Sequence, residues 1–344
     1  MEVEKISIII LNYNAGILLE KCISSVMKSN YRNFEIILVD NASEDNSHKN
    51  CKTRFPEIRL IENKENFGYC EGNNIGLRQM TGKYCVILNP DTEVESNWLD
   101  EFITEYKKHG DGLYQPKLLA TDDKTRINSA GNMINIFGFG YSIGKGKKDA
   151  PKYNEFKIIN YASGACLFTS KKTLETIGYF ESYLFAYHDD LDLGWRASQL
   201  GIKSFYVPNA IVNHSESFSF KWNAKKFYLL ERNRWYCLLT HYSKSTFYKL
   251  LPSLVVIEIM IYILFISKGM LKEKIRATRD ILIDLKKIQL ARLEFEKKKL
   301  IQDKQLINEF SDIVEIPSVI SNSIKIKVFN SIISSLGKLC KKII

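Results

Sequence analysis

The chain has 344 residues, 45% of them hydrophobic and 26% charged, which is the balance of a folded globular protein and excludes wholesale disorder or a collagen-like structure. Lysines and arginines number 49 against 39 acidic residues, and the excess lies late in the chain, since residues 268–304 hold 12 basic and 6 acidic side chains. This distribution predicts a basic C-terminal surface and argues against a nucleic-acid groove in the first 240 residues.

Seven cysteines are scattered along the chain, in an odd number and without a C-x-x-C pair. That pattern argues against a disulfide framework or a structural zinc site and favours a reducing, cytoplasmic setting. The apolar run at residues 6–11 follows two Glu and a Lys, and it is too short and too acidic in its flank for a signal peptide. We therefore predict a strand there.

Strands and helices are predicted to alternate over the first 115 residues. Apolar, β-rich runs at 6–11, 34–39, 58–61 and 84–88 predict four strands, each separated from the next by a segment of helical length. Residues 18–26, for example, carry apolar side chains at helical spacing. Repeated strand–helix–strand units predict a parallel sheet covered by helices.

Polar or small residues follow all four predicted strands. A single such residue is explained equally well by a helix cap or a turn. Four groups in register, at the edge of a parallel sheet where ligands bind, predict a site for a polar ligand. They are Asn12, Tyr13 and Asn14 after the first strand, Asp40 after the second, Asn66 and Gly68 after the third, and Asn89 and Asp91 after the fourth.

A second cluster lies between residues 187 and 214. Asp189, Asp190 and Asp192 fall within four positions, and such crowding is unfavourable unless a cation, an arginine or a substrate proton shares the charge. The alternative is an acidic helix N-terminus, which the helix dipole favours. His214 follows another predicted strand, where a surface residue is the usual interpretation and a ligand is the alternative.

The last hundred residues differ in kind. Residues 250–266 are nearly all apolar, but Pro252, Ser253 and Glu258 interrupt the run, so we expect an interfacial hairpin or a buried helix rather than a spanning one. Two later segments combine an apolar stripe with lysines, which is typical of helices on an anionic membrane surface, with core packing or a partner helix as the alternative. The stripes are Leu271, Ile275, Leu282 and Leu285, and then Val328, Ile332, Leu336, Leu339 and Ile343.

Several short motifs stand in the chain in the order Leu11-Asn-Tyr-Asn14, Val39-Asp-Asn-Ala-Ser43, Asn66–Gly76, Leu88-Asn-Pro-Asp-Thr92, Gly164-Ala165, His188-Asp-Asp-Leu-Asp-Leu193 with Arg196, and Arg232-Asn233. Together they resemble the family 2 inverting glycosyltransferases, particularly their rhamnosyltransferase-like branch. The resemblance covers about residues 5–240, and it is specific as a set although each motif is weak alone.

The resemblance implies a GT-A fold, a Rossmann-like α/β domain with a mostly parallel sheet that binds a nucleoside-diphosphate sugar. It also implies two groups of nucleotide contacts. Asn12, Tyr13, Asn14 and Asp40 would hold the base and ribose, while Asn66, Gly68, Asn74 and Asn89 would line the nucleotide side.

The same resemblance assigns the chemistry. Asp91 matches the second acid of the family's D-x-D, so it would bind Mg²⁺ or Mn²⁺ on the diphosphate, and His214 falls where relatives supply a second metal ligand. Asp190 matches the catalytic Asp, which would accept the proton of the acceptor hydroxyl as that oxygen attacks the anomeric carbon. Asp189 would lie on the acceptor side, and Trp195 and Arg196 would be structural or acceptor-side residues.

Two positions depart from the family's pattern. Asp189 stands where the family's Glu-Asp pair has Glu, which shortens the side chain by one methylene, and Glu71 stands where the family often has Gly. Neither change removes a catalytic group.

We therefore predict a GT-A domain at residues 1–240, with a nucleotide-binding half at 1–115 and an acceptor and catalytic half at 116–240. A helical, amphipathic, membrane-associating region would follow at 241–344. The enzyme would transfer a hexosyl or rhamnosyl group during polysaccharide biosynthesis to a glycan or lipid-linked acceptor, at the cytoplasmic face of the cell membrane. Nucleic acid is not an expected partner.

Two alternatives stay open. A sugar nucleotidyltransferase would share the sheet and the metal, but it usually carries a basic Gly-rich loop after the first strand, which residues 12–16 lack. A non-catalytic, membrane-associated scaffold with the same fold is the other, and the intact Asp91 and Asp190 argue against it. The sequence leaves the donor sugar, the linkage and the oligomeric state open.

Overall fold

The computed structural model of the protein describes residues 4–215, 224–315 and 324–344, which group into two compact units. The sheet unit comprises residues 4–132, 142–197 and 202–215, and the helical unit comprises residues 133–141, 198–201, 224–315 and 324–344. All of the predicted site residues lie in the sheet unit. The domain boundaries predicted at residues 115 and 240 stay predictions.

The secondary structure of the described residues alternates as expected in the first part of the chain and is helical in the last. The strands are β1 Ile6–Asn12, β2 Phe34–Asp40, β3 Arg59–Glu62, β4 Tyr84–Leu88, β5 Thr92–Val94, β6 Gly112–Ala120, β7 Ile127–Ser129, β8 Asn132–Ile134, β9 Gly140–Ser142, β10 Lys157–Ile159, β11 Cys166–Ser170 and β12 Lys203–His214. The α-helices are α1 Ile17–Val26, α2 Ser47–Arg54, α3 Gly68–Leu77, α4 Trp98–His109, α5 Lys171–Ile177, α6 Asp189–Gln199, α7 Ala224–His241, α8 Lys244–Ser267, α9 Leu271–Ile283, α10 Leu285–Lys298, α11 Asp303–Glu309 and α12 Ile324–Ile343.

The main sheet has the strand order β10-β12-β6-β11-β4-β1-β2-β3, with β5 paired to β12 and β7 paired to β6. The four strands predicted first, β1 to β4, are all parallel neighbours, which confirms the strand–helix–strand prediction. β11 joins β4 in the antiparallel sense, and β12 runs parallel to β6. The carboxyl ends of β1, β2 and β4 therefore share one edge with the beginning of β11.

The centre of the sheet unit is built from strands that are buried along their whole length. Every residue of β1 is buried, and α1 covers it with the apolar positions that the sequence spacing indicated. Helix α3 approaches the sheet closely because it carries glycines. A Cβ on Gly76 would lie 2.6 Å from Ile9 Cγ2 and 2.9 Å from Val39 Cγ2.

The helical unit contains α8, a continuous helix of 24 residues that passes through Pro252. Within the described ranges, α8 is the one helix long and apolar enough to cross a membrane, and 33% of its most apolar stretch is buried. The interfacial hairpin expected for residues 250–266 is wrong, because these residues belong to one continuous helix, while the expectation that they do not span a membrane stays a prediction. Glu258 is accommodated within the helix, and Arg234 and Lys274 form ion pairs with its carboxylate.

Replacing Gly76 by alanine is expected to lower the free energy of unfolding by about 1–3 kcal/mol, because the added methyl group overpacks the contact with β1 and β2. Helix propensity alone predicts the opposite sign, a gain of roughly 1 kcal/mol. Urea denaturation of Gly76→Ala decides between them. Lys107→Ala, at an exposed position of α4, is the control and should change stability by less than about 0.5 kcal/mol.

Candidate active site

A buried polar cluster joins the ends of β1 and β2. The side-chain amide of Asn12 donates to Asp40 Oδ1 at 2.8 Å and lies 3.0 and 2.9 Å from the hydroxyl oxygens of Ser43 and Ser47. Asp40 Oδ2 accepts the backbone N–H of Ser43 at 2.9 Å. Asn12 and Asp40 are almost fully buried, so they hold the loop that follows β2, whereas Tyr13 is 53% exposed.

Asn41, which follows the second predicted strand and belongs to the Val39–Ser43 motif, fastens the turn before α3 to the end of β2. Asn41 Nδ2 donates to Asn66 Oδ1 at 2.8 Å and to the carbonyl of Gly68 at 3.1 Å. Asn66 Oδ1 also accepts the backbone N–H of Gly68 at 2.8 Å. The structure thus brings Asn66 and Gly68 to the sheet edge where the polar ligand was predicted.

Asn14 and Asn74 are both engaged by backbone groups. Asn14 has a φ of 52° and accepts the backbone N–H of Glu44 at 2.8 Å. Both groups of the Asn74 amide bond the backbone of Phe180, at 2.9 and 3.0 Å, and the side chain is buried. A direct nucleotide contact of Asn74 therefore stays a prediction, while its bonds fix the segment around Phe180.

Pairing of β5 with β12 places Asp91 beside His214. Thr92 is the register partner of His214, and the N–H of Ser215 donates to the carbonyl of Asp91 at 2.8 Å. His214 Nε2 lies 3.4 Å from Asp91 Oδ1. That oxygen is buried and accepts no hydrogen bond from any described residue.

Asn128 on β7 orients the imidazole from the other side. His214 Nδ1 lies 3.2 Å from Asn128 Oδ1, and an amide oxygen can only accept, so the proton of this contact is on Nδ1. In the neutral ring, Nε2 then presents its lone pair to the carboxylate of Asp91. An imidazole nitrogen and a carboxylate oxygen 3.4 Å apart, with a supporting residue on the other ring nitrogen, form a pair of donors that suits a divalent metal.

Asp189 and Asp190 begin helix α6, where Asp189 is buried and Asp190 is partly exposed. Asp190 Oδ2 accepts the backbone N–H of Gly164 at 3.0 Å, and Oδ1 accepts that of Leu191 at 2.8 Å. A Cβ on Gly164 would lie 3.3 Å from Asp189 Oδ2. The small residue before β11 therefore allows the backbone to approach both acids.

Burial raises the pKa of both carboxyls by different amounts. Burial, and then the charge of Asp190, raises the pKa of Asp189 well above its ordinary value. Burial also raises the pKa of Asp190, but the N–H groups of Gly164 and Leu191 act in the opposite direction. The pKa of each carboxyl is therefore raised, most strongly that of Asp189, and the two groups titrate as a coupled pair.

Tyr69 on α3 is a feature that the sequence reasoning missed. Its hydroxyl donates to the carbonyl of Gly164 at 2.6 Å, while the N–H of the same glycine binds Asp190. The segment before α6 is held in unusual backbone conformations, since φ is 64° at Phe185 and 60° at His188. A hydroxyl within a glycine-rich motif gives no local signal for this contact.

A backbone hydrogen bond connects the two acidic sites. The N–H of Asn89 donates to the carbonyl of Ala165 at 2.9 Å, one residue beyond the register pair of Leu88 and Cys166. The turn that carries Asp91 and the turn that binds Asp190 are therefore neighbours. Asn89 contributes its backbone to this link.

The structure does not place Trp195 and Arg196 where an acceptor could reach them. Trp195 is fully buried and Arg196 is almost fully buried. Arg196 Nε donates to Asp192 Oδ2 at 2.9 Å, and its other nitrogens bond the carbonyls of residues 177–179. The acceptor-side prediction for these two residues is thus replaced by a role in supporting the loop before the acidic pair, and Arg196 explains the third Asp of the cluster.

A family model described as glycosyl transferase family 2 matches residues 7–178. The chain is 26% identical over 248 residues to the low-salt glycan biosynthesis hexosyltransferase Agl10 of Haloferax volcanii, covering 70% of this chain and 78% of that protein. It is 23% identical over 234 residues to an N-acetylglucosaminyl-diphospho-decaprenol L-rhamnosyltransferase of Mycobacterium tuberculosis, covering 62% and 76%.

Among solved structures, the chain is similar to the mannosyltransferase PcManGT of Pyrobaculum calidifontis, which was determined with GDP-Man and Mn²⁺. The TM-score is 0.51 at 13% sequence identity, covering 100% of this chain and 87% of that one. Likeness at this identity concerns the fold. Together with the family match it confirms the predicted α/β architecture with its helical C-terminal region.

The free energy of unfolding of Asp189→Asn, compared with that of the wild type at the same pH, should increase as the pH rises. The unfolded chain releases the Asp189 proton near pH 4, whereas burial raises the folded pKa. Stability that is fully present below pH 4 is therefore lost as the pH rises through the folded pKa, by about 1.4 kcal/mol for each pH unit between the two pKa values.

The measurement is the free energy of unfolding in urea between pH 4 and pH 8 for the wild type and Asp189→Asn. The difference in favour of the variant should grow with pH, while Glu57→Gln, at an exposed carboxylate, should show no such growth. A constant difference would contradict the raised pKa of Asp189.

Proposed function

Since the chain belongs to glycosyl transferase family 2, we propose that it transfers a sugar from a nucleoside-diphosphate sugar to a hydroxyl of a glycan or lipid-linked acceptor, with inversion at the anomeric carbon. The observation that carries the proposal is the juxtaposition of two acidic sites on one sheet edge. One is the Asp91–His214 pair, and the other is the ionisable carboxyl of Asp190.

Asp91 and His214 fit a divalent metal, because the buried Asp91 Oδ1 has no hydrogen-bond partner among the described residues and Asn128 orients the imidazole that faces it. Mg²⁺ or Mn²⁺ held there would neutralise charge on the diphosphate as it departs. Asp91 supplies a carboxylate oxygen and His214 supplies Nε2, whose direction is fixed by Asn128. The Mn²⁺ in the similar mannosyltransferase structure supports the same choice of ions for this chain.

Asp190 is the general base of the proposed reaction. Its two backbone hydrogen bonds stabilise the carboxylate and fix its orientation, which favours acceptance of the proton from an attacking hydroxyl. Asp189, which holds its proton to higher pH, avoids placing a second negative charge beside that base. On the acceptor side, Asp189, which stands where the family has Glu, therefore adds little negative charge beside Asp190.

The nucleotide is proposed to lie along the ends of β1 to β4. Tyr13 and Phe67 are exposed aromatic side chains of that rim, and the turns fastened by Asp40 and Asn41 form its floor. The relatives named above support a hexosyl or rhamnosyl donor and, in one case, a diphospho-lipid acceptor. We place the enzyme at the cytoplasmic membrane face, in peripheral association.

Replacement of Asp190 by asparagine should lower kcat by at least about a hundredfold, because the base is lost while its shape is kept. Affinity for the nucleoside diphosphate should stay within twofold of wild type. The assay is release of nucleoside diphosphate from a panel of nucleotide sugars in the presence of acceptor. Asp122→Asn, an exposed carboxylate, is the control, and a variant that keeps wild-type kcat would contradict the assignment.

Thermal unfolding with and without Mn²⁺ tests the metal site. A nucleoside diphosphate that binds only the native state should raise Tm, with about 2.7 kcal/mol of stabilisation at one hundred times its Kd. The rise should depend on Mn²⁺ and be lost in Asp91→Ala. Retention of the full, metal-dependent rise in that variant would place the ion elsewhere, and no rise with any base in folded protein would favour the scaffold alternative.

A further inference from the structure

Helix α8 has an apolar face that the described part of the chain leaves uncovered. Its members recur at three- and four-residue spacing, so they form one stripe, which extends about 27 Å along the helix. Each side chain in it is between 37% and 67% exposed. They are Tyr248, Leu251, Val255, Ile259, Ile263 and Ile266, and together they are called the α8 stripe.

The opposite side of α8 packs inside the helical unit. Leu250, Leu254, Ile257 and Ile261 are buried there. Aromatic contacts with α7 occur towards both ends of the helix, with ring centroids 6.5 Å apart for Trp235 and Phe247 and 6.0 Å apart for Phe227 and Phe265. Helix α8 is therefore attached along its length to a neighbour, and only the stripe side is open.

A buried charge cluster lies behind the middle of α8. Glu258 forms ion pairs with Arg234 of α7 and Lys274 of α9, and Glu231 pairs with the same two cations. Arg234 is 1% exposed and Lys274 is 0% exposed. Two acids and two bases balance one another, so the cluster is stable in a protein interior but unfavourable at the centre of a bilayer.

This cluster rules out a transmembrane path for α8 in this fold. A helix that crosses the bilayer places its middle at the centre of the hydrocarbon, and Glu258 would take Arg234 and Lys274 with it. Helix α7, which contacts α8 towards both ends, carries further charges at Lys225 and Arg232 and cannot follow it into lipid. The exposed stripe and the buried cluster therefore point to a helix lying along a surface.

The ends of the stripe are cationic. Lys244 begins α8, Lys268 and Lys272 follow its last turn, and all three are exposed. On α9, Arg276 and Arg279 are also exposed. An apolar stripe bounded by cations matches the layered chemistry of a leaflet with anionic headgroups, whereas a second copy of the chain would bring like charges together.

We propose that α8 lies in the plane of one membrane leaflet, with the α8 stripe among the acyl chains and Lys244, Lys268 and Lys272 at anionic headgroups. This deepens the peripheral location proposed above by naming the element that binds and its orientation. The proposed function explains why the protein would bind a membrane, and the present proposal depends on it only in that respect. The test below measures lipid binding and not sugar transfer.

The test uses the full chain and vesicles of phosphatidylcholine alone or mixed with phosphatidylserine. Wild type should sediment with the anionic vesicles and be released by high salt in part, and Ile259→Glu/Ile263→Glu should bind at least tenfold more weakly. Ile158→Glu is the matched control, because Ile158 in the sheet unit is 57% exposed and Ile259 is 56% exposed. The control should bind as wild type does.

Two results would overturn the proposal. The first is that the wild-type protein does not bind anionic vesicles, or binds them no more tightly than the double variant does. This includes the case in which the α8 stripe forms a dimer interface, so that the wild type is a dimer and the double variant is not. The second is that α8 spans the bilayer, which the tryptophan fluorescence of Ile259→Trp in excess of wild type reports. Lipids brominated near the headgroup should quench this fluorescence most. Strongest quenching by lipids brominated at the ends of the acyl chains would show that α8 crosses the bilayer.

The nucleotide site provides an independent control. The double variant should keep the wild-type rise in Tm with nucleoside diphosphate and Mn²⁺, because α8 contributes no residue to that site. Loss of vesicle binding with the Tm rise retained supports the proposal. If the wild type binds vesicles but no nucleoside diphosphate raises its Tm, the lipid-binding proposal stands and only the proposed glycosyltransferase activity is contradicted.

Discussion

The site depends on two acceptor atoms that are held face to face. Asp91 Oδ1 and His214 Nε2 stand 3.4 Å apart, because Asp91 directly precedes β5 and His214 ends β12, to which β5 is paired. Backbone pairing fixes Asp91, and Asn128 fixes the imidazole. In the proposed reaction a divalent cation would bridge these two atoms, and the pairing of β5 with β12 brings its two ligands together before the metal binds.

Asp189 and Asp190 at the start of α6 also bring negative charges close together, but here the protein itself stabilises them. Here backbone N–H groups stabilise the carboxylate of Asp190, and burial raises the pKa of Asp189 well above its ordinary value. The arrangement requires unusual backbone angles at Phe185 and His188 and a glycine at position 164. Such strain is tolerated where the surrounding bonds, among them that of Tyr69, over-determine the conformation.

Much of this arrangement is predictable from the sequence. Apolar runs gave the first four strands within a residue or two, and the polar residues after them marked the edge, because strand ends in a parallel sheet converge. Tyr69 and Asn128 escaped prediction, since their partners, Gly164 and His214, are distant in the sequence and the contacts leave no local pattern. The same holds for Glu258, which interrupts an apolar run in sequence but is neutralised in space by Arg234 and Lys274.

The most direct test of the account is pulsed EPR of Mn²⁺ bound together with a nucleoside diphosphate. The account predicts a ¹⁴N coupling from a directly bound imidazole in the wild type, and loss of that coupling in His214→Gln while weaker Mn²⁺ binding persists through Asp91. A bound Mn²⁺ without nitrogen coupling, or with a coupling unchanged in His214→Gln, would contradict the claim that the Asp91–His214 pair is the metal site.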